Sequence, residues 1–152
     1  MVNIRSLIVI LIIMGSNSDK EIMAKAEEQL KDFGLEYETV VASAHRDPEK
    51  VSKIISSGKY DVIIAGAGKA AHLPGVIAGQ TIVPVIGVPI KTSDLGGMDS
   101  LLSIVQMPTG VPVATVAING AQNAAILAAQ IMALKDDKLK KVLKQFKESL
   151  KK

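Results

Sequence analysis

The sequence predicts a three-layer α/β fold, a central parallel sheet of five strands with helices on both faces. Three observations carry that prediction. Short runs rich in Ile and Val, apolar enough to be buried on both faces, recur along the chain, as in Val62-Ile63-Ile64. Segments with apolar residues at helical spacing separate them, so strands and helices alternate, at least five of each. The composition is 48% hydrophobic but only 3% aromatic, so the core is built from Ile, Val, Leu, Ala and Met, which suits strands covered on both sides. A length of 152 residues fits one domain over 1–152, closed by a helix over about 136–151.

The first strand is Leu7 to Met14. With Arg5 before it, this run mimics a signal peptide, but no small-x-small cleavage site follows. Eight apolar residues are also far short of the roughly 20 that a membrane-spanning helix needs. An amphipathic helix comes next, with Ile22, Met23, Ala26 and Leu30 on one face and Gly34 at its end. Ser18 and Glu21 fit a capping box at its start. Residues 35–42 read as the second strand, and Asp47-Pro48 opens a helix that turns Val51, Ile54 and Ile55 inward. The third strand, around Val62–Ile64, leads into a loop of small residues and a helix opened by Pro74. Strand four is expected at Val83–Val88, a helix at Asp99–Met107 and strand five at Val113–Ile118. The helix over about 119–134 is apolar nearly all round, so it is expected either at the centre of the protein or in a subunit interface. The last helix carries Leu139, Val142, Leu143, Phe146 and Leu150 on one stripe.

Charge and composition exclude several function classes. The net charge is +3, but eight lysines against three acids lie from Lys135 onward, and the 134 residues before them carry ten bases and twelve acids. The basic character is the solvated face of one helix, which argues against a nucleic-acid partner. With no Trp and two each of Phe and Tyr, a base-stacking platform is absent too. The lack of cysteine removes disulfides, thiolate metal sites and cysteine catalysis, and is compatible with the cytoplasm.

Flavodoxin-like strand order 2-1-3-4-5 suits this pattern, and such sheets bind ligands beyond the strand carboxyl ends near the β1/β3 switch point. Three unusual loops, 15–19, 43–46 and 66–72, follow strands one, two and three and are expected to converge there. The first offers Ser16 and Ser18 at a helix N-terminus, suited to phosphate, and Asp19, suited to the paired hydroxyls of a ribose. The second sets Arg46, a fork for phosphate, beside His45, a residue type that exchanges protons near neutrality. The third, Ala65-Gly66-Ala67-Gly68-Lys69-Ala70-Ala71-His72, has almost nothing to pack, so its amides can approach a ligand closely. Its Gly66-x-Gly68-x-x-Ala71 matches a dinucleotide fingerprint only formally, for it follows the third strand and no acid stands about 20 residues on. Gly68-Lys69 is no P-loop either, with Ile63 at the first glycine position and Ala70 after the lysine. No two-His-plus-carboxylate spacing supports a catalytic metal.

M-G-S-x-S-D at 14–19, S-A-H-R at 43–46 and A-G-A-G-x-A-A-H-L-P-G at 65–75 together resemble the 5-(carboxyamino)imidazole ribonucleotide mutase family of purine biosynthesis. D-S-L-L-S-I-V-Q-M-P at 99–108 and N-A-A-I-L-A-A at 123–129 extend the likeness over essentially the whole chain. The resemblance implies a flavodoxin-like subunit in a homo-octamer, working without metal or other cofactor on a ribonucleotide. It implies movement of a carboxylate from the exocyclic nitrogen to a ring carbon, giving 4-carboxy-5-aminoimidazole ribonucleotide. Carried onto matching positions, Gly15, Ser16, Ser18, Asp19, Ser43 and Arg46 hold the ribose phosphate. Gly68, Lys69, Ala70, His72 and Leu73 enclose the carboxylate and base, and His45 moves the proton.

A sister class carboxylates aminoimidazole ribonucleotide directly with carbon dioxide. It has Lys after the histidine and a different third loop, so Arg46 and A-A-H-L-P favour the mutase. A non-catalytic sensor of phosphate ligands is the rival from another functional class, and the pairing of His45 with His72 argues against it. Three positions depart from the family pattern: Asp47 for the commoner Thr, Lys69 for the usual Gly, and a short tail after Phe146. For Lys69 the simpler expectation is a side chain directed to solvent; the sharper one is a cation that strengthens substrate binding.

Overall fold

The computed structural model describes residues 9–151. Its sheet is wholly parallel, made of β1 (Val9–Met14), β2 (Tyr37–Val41), β3 (Tyr60–Gly68), β4 (Val85–Ile90) and β5 (Ala114–Thr115), in the order β2-β1-β3-β4-β5. Six helices lie between and after them: α1 (Lys20–Asp32), α2 (Pro48–Ser56), α3 (Leu73–Ala78), α4 (Met98–Val105), α5 (Ala121–Met132) and α6 (Asp137–Ser149). This is the expected flavodoxin-like sandwich. Leu7 and Ile8, assigned above to the first strand, lie outside the described residues.

The period-two geometry of the strands divides the core. Ile10, Ile12 and Met14 of β1 point with Val62, Ile64, Ile86 and Val88 to one face, under α1 and α5. Leu11 and Ile13 point with Ile63 and Ala65 to the other, under α2, α3 and α4. Burying an aliphatic side chain of this size contributes about 1.5–3 kcal/mol, and four consecutive β1 residues, Ile10 to Ile13, are wholly buried. A third cluster docks α6 at the end of α1 and α5, with Phe33 edge-on to Phe146 at 5.2 Å between centroids. Among the described residues no helix is long and apolar enough to cross a membrane.

Several elements differ from expectation for identifiable reasons. Ser18 does not cap the first helix. Ser16 caps a 3-10 turn at Asn17–Asp19, and α1 starts after it with no side-chain cap. Strand four is shifted two residues onward, to Val85–Ile90. Strand five shrinks to two ladder residues. The Gly87 and Pro89 carbonyls of β4 still accept from Val116 and Asn119, but Pro89 has no N–H to return to that side, so the regular ladder stops. The helix expected over 119–134 runs from Ala121 to Met132 and is not apolar all round, since Gln122, Asn123 and Gln130 face solvent. Its small face, Ala121, Ala124, Ala125, Ala128 and Ala129, is fully buried within the protomer, and Gln122 Nε2 donates to Gln29 Oε1 of α1 at 2.9 Å. It covers one face of the sheet rather than lying at the centre of the protein, and Ile126, Leu127 and Ile131 beside that alanine face are only half-buried. In α6, Leu139 is buried and Val142, Leu143 and Phe146 pack partly, while Leu150 is exposed.

Candidate active site

The strand order puts the carboxyl ends of β1, β2 and β3 side by side, and their loops enclose one crevice of about 360 Å³. Every site residue singled out from the sequence lines it: Gly15, Ser16, Ser18, Asp19, Ser43, His45, Arg46, Gly68, Lys69, Ala70, His72 and Leu73.

Loop one is held to the sheet by the Gly15 amide, which donates to the Gly66 carbonyl at 3.3 Å. Ser16 Oγ accepts from the Ser18 amide at 3.3 Å and from Ser18 Oγ at 3.1 Å, so the two hydroxyls act as a pair. The N-terminal end of the turn and α1 makes this corner favourable to negative charge. Asp19 sits there nearly buried, and burial raises its carboxyl above the ordinary range while a Ser16 backbone hydrogen bond pulls it partway back.

Loop two is a tight turn closed by the Asp47 amide on the Ser43 carbonyl at 3.0 Å and by the Arg46 amide on Ser43 Oγ at 3.2 Å. Asp47 then caps α2 through Lys50 N, at 3.2 Å, with Pro48 in its first turn. These bonds fix the direction of His45 and Arg46, and among the described residues no carboxylate pairs with the Arg46 guanidinium.

Loop three leaves β3 at Gly68. Lys69 is in the left-handed region at φ +53°, and successive short turns follow: Ala71 N donates to Lys69 O and His72 N to Ala70 O, both at 2.8 Å. The close approach of the segment just after β4 explains the glycine, because a Cβ on Gly68 would lie 2.8 Å from Thr92 Cγ2. These turns bring His72 Nδ1 to 2.8 Å from His45 Nε2, with the rings edge to face. One nitrogen donates and the other accepts, so a single hydrogen lies between the rings.

The Lys69 side chain is largely exposed, as the simpler expectation had it, but it is not free. Its ammonium pairs with Asp94 Oδ2 at 2.8 Å, and that hydrogen bond and charge raise its pKa. Sequence reasoning missed Thr92, which also lines the crevice and whose buried hydroxyl has no partner among the described residues. The polar run Lys91-Thr92-Ser93, directly after a buried strand beside the switch point, was the available signal. Ala44 and Ala67 complete the lining.

Hydroxyls, an open guanidinium and a helix N-terminus thus face a wall of small residues, with two joined imidazoles between them. Such a crevice can anchor a phosphorylated sugar at one end and exchange a proton with a flat ring at the other. Comparison with known proteins agrees with that chemistry. The family model described as AIR carboxylase matches residues 9–152. The N5-carboxyaminoimidazole ribonucleotide mutase of Methanocaldococcus jannaschii is 57% identical over 143 residues, covering 94% of this chain and 90% of that protein. The mutase of Thermotoga maritima is 54% identical over 143 residues, covering 92% and 84%. The crystal structure of Treponema denticola PurE superimposes with a TM-score of 0.85 at 31% identity, covering 93% of this chain and 90% of that one. Matched by the family model over nearly its whole length, this chain belongs to the AIR carboxylase family.

Proposed function

We propose that the chain is a mutase that converts 5-(carboxyamino)imidazole ribonucleotide to 4-carboxy-5-aminoimidazole ribonucleotide. The identity to curated mutases supports the activity, and the His45–His72 contact at the junction of the two crevice halves is the observation that carries the mechanism. Ser16, Ser18, Ser43 and Arg46 bind the phosphate, and Asp19 takes the ribose hydroxyls. The carboxyamino C–N bond breaks to release carbon dioxide, and the nitrogen gains the proton that completes the amine. The ring carbon then bonds to the trapped carbon dioxide and gives up its own proton, which His45 removes. Protons and electrons balance, so the reaction calls for no oxidant or external carboxyl donor. Gly68, Ala70 and Leu73 keep the wall close enough to hold carbon dioxide against the ring.

The chain works as one mutase domain over 1–152, in the cytoplasm, and assembles as a homo-octamer. Support for assembly comes from α4, where Met98, Leu102 and Val105 form a half-exposed apolar stripe beside exposed Leu95. Sedimentation of the wild type at micromolar concentration should show the oligomer, and Leu102→Glu should dissociate it.

The deciding experiment supplies the carboxyamino ribonucleotide without ATP or metal. Appearance of the ring-carboxylated product supports the mutase. Product formed only from aminoimidazole ribonucleotide and carbon dioxide identifies a direct carboxylase, and binding without turnover identifies a sensor.

A further inference from the structure

We propose that Asp94 is a positioning residue that withholds the Lys69 ammonium from the crevice and so limits the affinity of this chain for its anionic ligand. The inference rests on the functional reading above, since it concerns a ligand whose carboxylate lies against loop three.

Lys69 belongs to the crevice wall, whereas Asp94, in the loop between β4 and α4, does not line it. The one ammonium is therefore shared between two directions, and in this structure it is given to Asp94 at 2.8 Å. Asp99, in the first turn of α4, adds a second negative charge on the same side. Both members of the pair are more than half exposed, at 68% and 56%, so solvent screens their attraction and exchange of Asp94 for a ligand anion costs little.

A different role, fastening the two loops together, is already filled by other contacts. The β3–β4 ladder runs to Gly68 and Ile90. Ser100 Oγ, fully buried, lies 2.9 Å from both the Ile90 and Gly97 carbonyls and shares its one hydrogen between them, and the Lys91 amide donates to Asn119 Oδ1 at 2.9 Å. The 91–97 loop is thus tied at both ends without the ion pair. Lys69 also sits at positive φ, where a lysine is conformationally costly, and a latch that fastens nothing gives no reason for that cost.

Withholding and fastening predict opposite signs. A latch makes loss of either partner weaken binding. A withheld cation makes loss of Asp94 strengthen it and loss of Lys69 weaken it. The test measures affinity for the ring-carboxylated ribonucleotide by calorimetry on the full chain. Asp94→Asn should tighten binding roughly two- to fivefold at low salt, a gain that fades as salt screens the charges. Lys69→Met should weaken it by a similar factor, and Asp94→Glu should keep wild-type affinity. In the Lys69→Met background, Asp94→Asn should change nothing, because Asp94 acts through Lys69. Unchanged or weaker binding by Asp94→Asn, or the same gain in both backgrounds, overturns the proposal while the mutase reading stands. Failure of the wild type to bind the ribonucleotide overturns both.

Discussion

The two halves of the crevice are built from opposite materials. The half made by loops one and two presents side chains: Ser16, Ser18, Asp19, Ser43 and Arg46, each fixed by turns and caps. The half made by loop three presents mostly backbone, with Ala67, Gly68 and Ala70 removing whatever would stand in the way. The first half recognises by donating and accepting, and depends on chemical groups. The second recognises by proximity, and depends on the absence of atoms. Polar truncation should therefore damage one half, and added carbon the other.

The largest effect is expected where the halves meet. His45→Asn should bind the ribonucleotide nearly as wild type does, yet lose about 10²–10⁴-fold in turnover, the usual cost of removing a general acid–base group. His72→Asn should lose less, since His72 reaches the reacting ring through His45 or by shaping the wall. Near-wild-type turnover by His45→Asn would place the proton transfer elsewhere.

On the backbone-built side, Gly68→Ala should destabilise by about 1–3 kcal/mol, because its Cβ must displace Thr92. Thr92→Ser removes the methyl group it would strike, so the double variant should recover most of that loss in a thermal melt. No recovery would mean that the glycine serves backbone freedom rather than clearance.

The smallest effect concerns Asp19, on the side-chain half. Burial raises its carboxyl pKa, so the folded protein prefers the protonated form. The stability this contributes is complete below the unfolded carboxyl range and is lost as pH rises through the folded value. Asp19→Asn has no such titration. It should melt higher than wild type at neutral pH, with the difference closing in acid. If Asp19 holds the ribose, the same variant should bind ligand less well.

Much of this arrangement was legible in the sequence because its signals were redundant. Strands such as Ile10–Met14 and Val62–Ile64 are apolar on both faces, and loops full of Gly, Ser and His follow each one. What failed depended on a neighbour. Ser16 and Ser18 are both good caps, and only the 3-10 turn between them decides which one is used. Strand five looks long in its own residues and is cut short by Pro89 on the strand beside it. The all-alanine face of α5 gave no hint that α1 would come close enough to cover it. Lys69 gave no sign of its partner, because Asp94 lies 25 residues on in a loop without periodicity.

The strand order also sets a timetable for the newborn chain. Fourteen of the fifteen residues lining the crevice lie at or before Leu73, Thr92 being the exception, so nearly the whole site leaves the ribosome early. The α5 alanines that cover one face of β1 and β3 come at 121–129. At typical bacterial and eukaryotic elongation rates, Met132 follows Leu73 by roughly 3–12 s. During that interval Ile10, Ile12, Val62 and Ile64 have only α1 to shelter them, and the emerging half is an adhesive surface.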